Sequence, residues 1–400
     1  MHSPPSRQRQ TASGKEATRR VLFSHEGTDF LEVWPLPDSD RPHASERYLA
    51  RPRTSQGVGP LVEVTVLPAH APREARLRLE EEVWLASRLQ HPAIARVHGL
   101  YEVGEDFFLV SEHVDGCDLE TVGVLTTLRQ ARMSEAFALY VASEVAGALD
   151  HAHTLKDERG APLGIIHRAV GGESIRVERA TGAVKLADFA AAFCLMPGRV
   201  PSPEGLVRGL LDTAAPERLP LTGRAEVDAR ADLFSLGVVL LDLLTGRVLY
   251  DLEPVEAAAE QALGVRKRRV KLKAEVPSWV SVTQMALRAA AFHPSHVEAV
   301  MREAGVSAPV GDVLRKLLRH EPDARYATAA EVRAALQACL GAAGDPPYGA
   351  PEAARELCQA IAEAEESVLR EELGVFELGV FADDVPPPRE DTPPRALRGR

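Results

Sequence analysis

No run of about 18 apolar residues occurs in this 400-residue chain, which leaves no candidate for a membrane-spanning helix. Its first residues, MHSPPSRQRQTASGKEATRR, lack the apolar stretch of a secretory signal. The four cysteines, Cys117, Cys194, Cys339 and Cys358, form no CxxC pair. Neither a zinc knuckle nor a disulfide framework is signalled, and a reduced cytoplasmic setting is expected. Positive charge is in deficit: 47 Lys and Arg against 58 Asp and Glu give a formal net charge of −11. That balance speaks against a general nucleic-acid binder. Two further absences are local. No lysine occurs between Lys15 and Lys156, and no glycine between Gly27 and Gly57. What is present is an ordinary apolar fraction, 45%, enough for the core of one large two-lobed domain or two smaller ones.

Residues 1–20 are polar and basic and are expected to be disordered. Residues 21–115 carry short β-rich runs, among them LVEVTVL (61–67) and FFLVSEHV (107–114), around one helix expected over Pro72 to Gln90. His91-Pro92 stops that helix. Residues 116–342 are mostly helical in pattern. Ser134 is placed to cap a helix running to His153, whose Phe137, Val141, Val145 and Leu149 make one buried stripe. Within this part, residues 255–307 suggest a longer and less regular insertion. Its basic run VRKRRVKLK (265–273) reads as a solvated face, or more sharply as a patch for an acidic partner or phosphate. Residues 343–400 suggest an amphipathic helix over 351–372, with Leu357, Ile361 and Val368 on one side, then a disordered Pro-rich tail.

Residues 165–190, IIHRAVGGESIRVERATGAVKLADFA, resemble the catalytic loop and metal-binding strand of the protein kinase family, H-R-D-L-x-x-x-N followed by D-F-G. Further segments are similar to that family in the same order: HPAIARVHGL (91–100), the hinge-like LVSEHVDGCDL (109–119), AAPE (214–217), DARADLFSLGVVLLDLLTG (228–246) and LLRHEPDARYATAAEVRAAL (317–336). ALDHAHTLKDERGAPLGIIHR (148–168) is similar to bacterial Ser/Thr kinases in particular. The resemblance covers roughly Phe30 to Leu340. It implies an α+β, bilobal protein-kinase-like fold, with a small β-rich lobe carrying one helix and a larger helical lobe.

The resemblance also shows what is missing. His167 and Arg168 stand in the H and R places, but Ala169 replaces the catalytic Asp. Gly171 stands for a phosphate-contacting lysine, Ser174 for the metal-binding Asn, and Ala190 for the last Gly of D-F-G. Asp188 remains as a single metal-binding carboxylate, a poor Mg²⁺ site alone. In the V-A-I-K strand the chain has Val62-Glu63-Val64-Thr65, so Thr65 replaces the phosphate-holding lysine. Its partner acid, Glu82, is then expected to be solvated or paired with an arginine, and Arg47 or Arg51 are the arginines that could enter the site. Strand alternation puts Glu63 on the face of Thr65, at the roof of the nucleotide slot, where a carboxylate repels phosphates. A slip of one residue would turn it to solvent instead. The counterpart of the glycine-rich loop, PLPDSDRPHASE (35–46), carries Pro35, Pro37, Pro42, Asp38 and Asp40 and no glycine, and the alternative counterpart, HEGTDFLEVW (25–34), has a single one. Leu210 replaces an activation-segment threonine, leaving Ser202 and Thr213 as the hydroxyls between Asp188 and Glu217. Structural positions persist: Glu217 with Arg325 as an ion pair, and Asp232 as the anchor of the catalytic-loop backbone.

The expectation is a catalytically impaired kinase homologue, a pseudokinase, acting as a signalling scaffold or regulatory binding protein. Its partners would be proteins of a signalling pathway, another kinase among the candidates, with no cofactor and no nucleic acid. The alternatives are a weak or unorthodox ATP- and Mg²⁺-dependent Ser/Thr kinase, or a nucleotide sensor that binds at the hinge backbone of Glu112 and Val114 without turnover.

Overall fold

Alternating β-branched residues suit a pleated strand, and Val62 and Val64 turn to one face while Glu63 and Thr65 turn to the other. In the computed structural model this strand lies at the centre of the small-lobe sheet. The structure describes residues 20–36, 46–196, 206–219, 227–263, 273–274, 281–342 and 348–370. Outside these lie the expected disordered ends, Pro37, Asp38, Asp40 and Pro42, Ser202, and the basic run except Lys273.

The sheet contains β1 (Val21–His25), β2 (Thr28–Leu36), β3 (Glu46–Thr54), β4 (Gly57–Val58), β5 (Val62–Leu67), β6 (Val97–Val103) and β7 (Asp106–Glu112). Its order is β1-β2-β3-β5-β7-β6, with β4 on β3, and every pairing is antiparallel. One face gathers Phe23, Phe30, Tyr48, Val62, Val64, Phe108 and Val110. Phe23 stacks on both Phe30 and Phe108, with ring centroids 4.3 and 4.2 Å apart. The other face receives α1 (Arg73–Ala86), whose Ala75 and Leu79 meet Leu67 and Leu109.

The large lobe holds a ribbon of β8 (Gly116–Asp118), β9 (Ile175–Glu178) and β10 (Val184–Leu186), and a short parallel pair, β11 (Leu206–Val207) with β12 (Lys273–Ala274). Its helices are α2 (Leu119–Leu128), α3 (Glu135–Thr154), α4 (Arg230–Thr245), α5 (Glu253–Leu263), α6 (Val282–Ala291), α7 (Glu298–Ala304), α8 (Ala308–Leu317), α9 (Ala329–Ala342) and α10 (Ala350–Arg370). Ser134 Oγ accepts the Phe137 N–H at 3.1 Å and starts α3, whose Phe137, Val141, Val145 and Leu149 are fully buried. Within 255–307 the described stretches are chiefly helical. Ser281 and Gln284 form a capping box that starts α6. No described helix is long and apolar enough to cross a membrane.

Helix α10 lies on α2, α3 and β9 of its own large lobe. Ala353, Leu357, Ala360 and Ala364 are fully buried there. Glu356 accepts from the Ser134 N–H (2.6 Å), the Ser134 hydroxyl (2.7 Å) and the Tyr348 hydroxyl (2.7 Å), and Arg129 pairs with Glu363 at 3.0 Å. The approach requires a glycine at 182: φ is +73°, and a Cβ would lie 1.8 Å from the Ala350 carbonyl oxygen. Deleting residues 343–400 is therefore expected to uncover an apolar face, lower the melting temperature and reduce solubility. Thermal melts and light scattering check this; unchanged values would mean that α10 contributes nothing to the lobe.

Candidate functional site

The loop resembling a catalytic loop is shaped from below by Asp232 of α4, which is fully buried. Its Oδ2 accepts the His167 N–H at 2.7 Å and lies 2.9 Å from His153 Nε2. Its Oδ1 accepts the Arg168 N–H at 2.9 Å, at a left-handed turn where Arg168 has φ 68°. Burial pushes the Asp232 carboxyl up, but the His153 hydrogen bond, the neighbouring imidazoles and the loop amide outweigh it and hold the carboxyl below its usual range. Burial keeps the His167 imidazole below its usual range too. A neutral ring fits its contacts: Nδ1 accepts the Ala169 N–H at 3.2 Å, and Nε2–H donates to the Ala187 carbonyl at 3.0 Å. The edge of the ring meets Phe189, centroid to centroid 4.4 Å.

The positions that would carry chemistry are occupied from within. Ala169 presents a methyl group and is 6% exposed. A Cβ on Gly171 would fall 2.3 Å from Leu210 Cδ1, so the activation-segment leucine fills the space beside it. The Ser174 hydroxyl accepts the Gly171 N–H and donates to the Gly171 carbonyl, each at 3.1 Å, and the residue is buried. Asp188 takes a left-handed conformation, φ 62°, ahead of the 3₁₀ turn Phe189–Ala191. The Arg168 guanidinium lies over the Phe193 ring at 4.8 Å. Among the described residues no three His, Cys, Asp or Glu side chains converge as a metal-binding set.

Charged side chains from both lobes meet in the slot between them. The register of β5 sets Glu63 opposite Leu49 and Ser111, without the one-residue slip that would send it to solvent. Arg47 Nη2 meets the Glu63 carboxylate at 2.9 Å, His113 Nδ1 at 3.3 Å and Arg176 Nη1 at 3.6 Å. The Glu63 side chain is 15% exposed. Burial alone would raise its pKa, but the His113 hydrogen bond and the charges of Arg176 and Arg47 prevail and lower it to about 2. Arg51 does not enter the slot; it donates to the Gly59 carbonyl at 3.1 Å. Thr65 is buried beside Glu63. At the hinge, Glu112 pairs with Lys185 at 2.9 Å and accepts the Arg96 N–H at 2.9 Å, and Val114 is buried.

The expectation of a solvated Glu82 is corrected: the residue is 8% exposed. It follows Ala75 and Leu79 on the buried stripe of α1. Glu217 and Arg325 meet as a bidentate pair, at 2.6 and 2.8 Å. Sequence reasoning misses Arg176 and His113. A signal for Arg176 exists: a charged residue between Ile175 and Val177, both fully buried, must face away from the core.

A family model for the protein kinase domain matches residues 66–337. Over 295 residues, 72% of its length, the chain is 33% identical to serine/threonine-protein kinase PknJ of Mycobacterium tuberculosis, covering 43% of that protein. Over 294 residues, 72% of this chain and 39% of the relative, it is 32% identical to serine/threonine-protein kinase PknB of the same organism. The chain thus spans less than half the length of these curated relatives. Among solved structures, the Mycobacterium tuberculosis PknI kinase domain is similar at 22% identity and a TM-score of 0.49, over 80% of this chain and 99% of that one.

Proposed function

Because this chain belongs to the protein kinase domain family, we propose that it is a catalytically impaired member, a pseudokinase that serves as a signalling scaffold or regulatory binding protein. One observation carries the reading. The catalytic-type loop keeps its backbone on Asp232, while its chemical positions are a methyl group at Ala169, a glycine covered by Leu210, and a serine hydroxyl bonded inside its own loop. Structural contacts are kept where the groups for proton transfer and phosphate neutralisation are lost.

ATP with Mg²⁺ is the group that the family implies, and the residues present do not fit it. Thr65 offers no cation to the phosphates. Glu63 places a carboxylate, already bound by Arg47, His113 and Arg176, in the roof of the slot. Asp188 is a single carboxylate without a second side-chain ligand from position 174. These residues support no phosphoryl-transfer step, and the activity named for the relatives does not carry over. The partners of such a scaffold are signalling proteins.

Restoring the base alone does not restore this site. Ala169→Asp is expected to leave transfer of radiolabelled phosphate at background. Recovered transfer would overturn the reading; an ATP·Mg²⁺-dependent stabilisation of the unaltered chain beyond about 1 kcal/mol, the linkage expected several-fold above Kd, would overturn the account of a nucleotide site that Glu63 and Thr65 disable.

A further inference from the structure

The cluster around Glu63 joins three separate parts of the chain. Glu63 and Arg47 belong to the small-lobe sheet, His113 to the connecting segment, and Arg176 to the large-lobe ribbon. We propose that Glu63 and Arg176 form an interlobe clasp, a built-in ion pair that sets the closure of the two lobes from inside the slot. The proposal shares with the pseudokinase reading only that no nucleotide fills this space.

Three observations support it. First, one carboxylate lies within ion-pair distance of a cation from each lobe, so without Glu63 the guanidinium groups of Arg47 and Arg176 would face each other as like charges. Second, water is largely kept away: the side chains of Glu63, His113, Arg47 and Arg176 are 15%, 16%, 23% and 24% exposed. Such a pair is screened less than a surface pair. Third, the lobes are already joined elsewhere by backbone. Leu186 N–H donates to the Ala93 carbonyl at 2.8 Å, and Ala95 N–H donates to the Leu186 carbonyl at 2.9 Å. Lys185 reaches the hinge residue Glu112 at 2.9 Å. With that seam fixed, a further tie in the slot limits rotation of one lobe against the other. Asp118, opposite Arg176 in the ribbon, accepts the Thr121 N–H at 2.8 Å as a helix cap. Glu63 is the carboxylate paired with Arg176 across the lobes.

The test uses amide hydrogen exchange on the full chain without nucleotide, in Glu63→Gln, Arg176→Met and the double variant. A clasp transmits its loss across the slot. Arg176→Met is expected to speed exchange in β5, and Glu63→Gln in β9, each by roughly tenfold, with no further gain in the double variant. Changes confined to the strand that carries each substitution, adding in the double variant, would overturn the clasp. Should Arg176→Met fail to fold, Arg176→Gln is read by the same two outcomes. Transfer of radiolabelled phosphate by the unaltered chain judges the pseudokinase proposal separately: measurable transfer would overturn that proposal, while exchange in nucleotide-free protein decides the clasp.

Discussion

Arg325→Ala is expected to cost roughly 3–5 kcal/mol and to melt the large lobe at a markedly lower temperature. The Arg325 side chain is 0% exposed and that of Glu217 only 7%. Besides its two bonds to Glu217, the guanidinium donates to the carbonyls of Arg319 (2.7 Å), Arg230 (3.1 Å) and His320 (2.8 Å), and it lies over the Phe234 ring at 4.9 Å. Truncation leaves an uncompensated carboxylate and three carbonyls without this donor. Arg325→Lys keeps the charge but not the planar fork, so it is expected to recover only part of the loss. Urea unfolding of the three proteins checks this, and equal midpoints would show that the pair contributes nothing.

Asp232→Ala is expected to be comparably damaging, because two loop amides and His153 lose their common acceptor. Asp232→Asn separates charge from hydrogen bonding, and its signature lies in the acid range. The folded-state pKa of Asp232 lies below its ordinary value. Its contribution is therefore fully present above the unfolded value and is lost as pH falls through the lowered one. The unaltered protein is expected to lose stability below roughly pH 5 in part through this group, a part the Asn variant lacks. The facing groups are His153, His167 and Arg218. A pH series of unfolding midpoints, with parallel acid limbs in both proteins, would refute the assignment.

Local chemistry made much of the fold legible. Alternation in Val62 to Val66 marked both the strand and the face on which Glu63 lies, and Ser134 marked the start of α3. The Ser281 and Gln284 capping box carries the same kind of local signature. The slot was legible on one side only. Arg47 is 16 residues and His113 50 residues from Glu63. No periodicity or spacing reports such meetings, because they arise when sheet register and lobe packing bring distant strands together. Glu82 was legible in part. The missing lysine suggested solvent or an arginine partner, and its place on the helical stripe with Ala75 and Leu79 turns it inward instead of to solvent.

The contact between Ser134 and Glu356 spans 222 residues. The start of α3 can form early, on its own hydroxyl cap, but its carboxylate partner is synthesised only after nearly all of the large lobe. Such long-range closures are slow relative to local helix formation. During synthesis, α2 and α3 must therefore wait with an apolar face uncovered until residues near 350 emerge. A nascent chain halted before that point would expose that face to whatever else is nearby, which makes α10 a determinant of folding yield as well as of final stability.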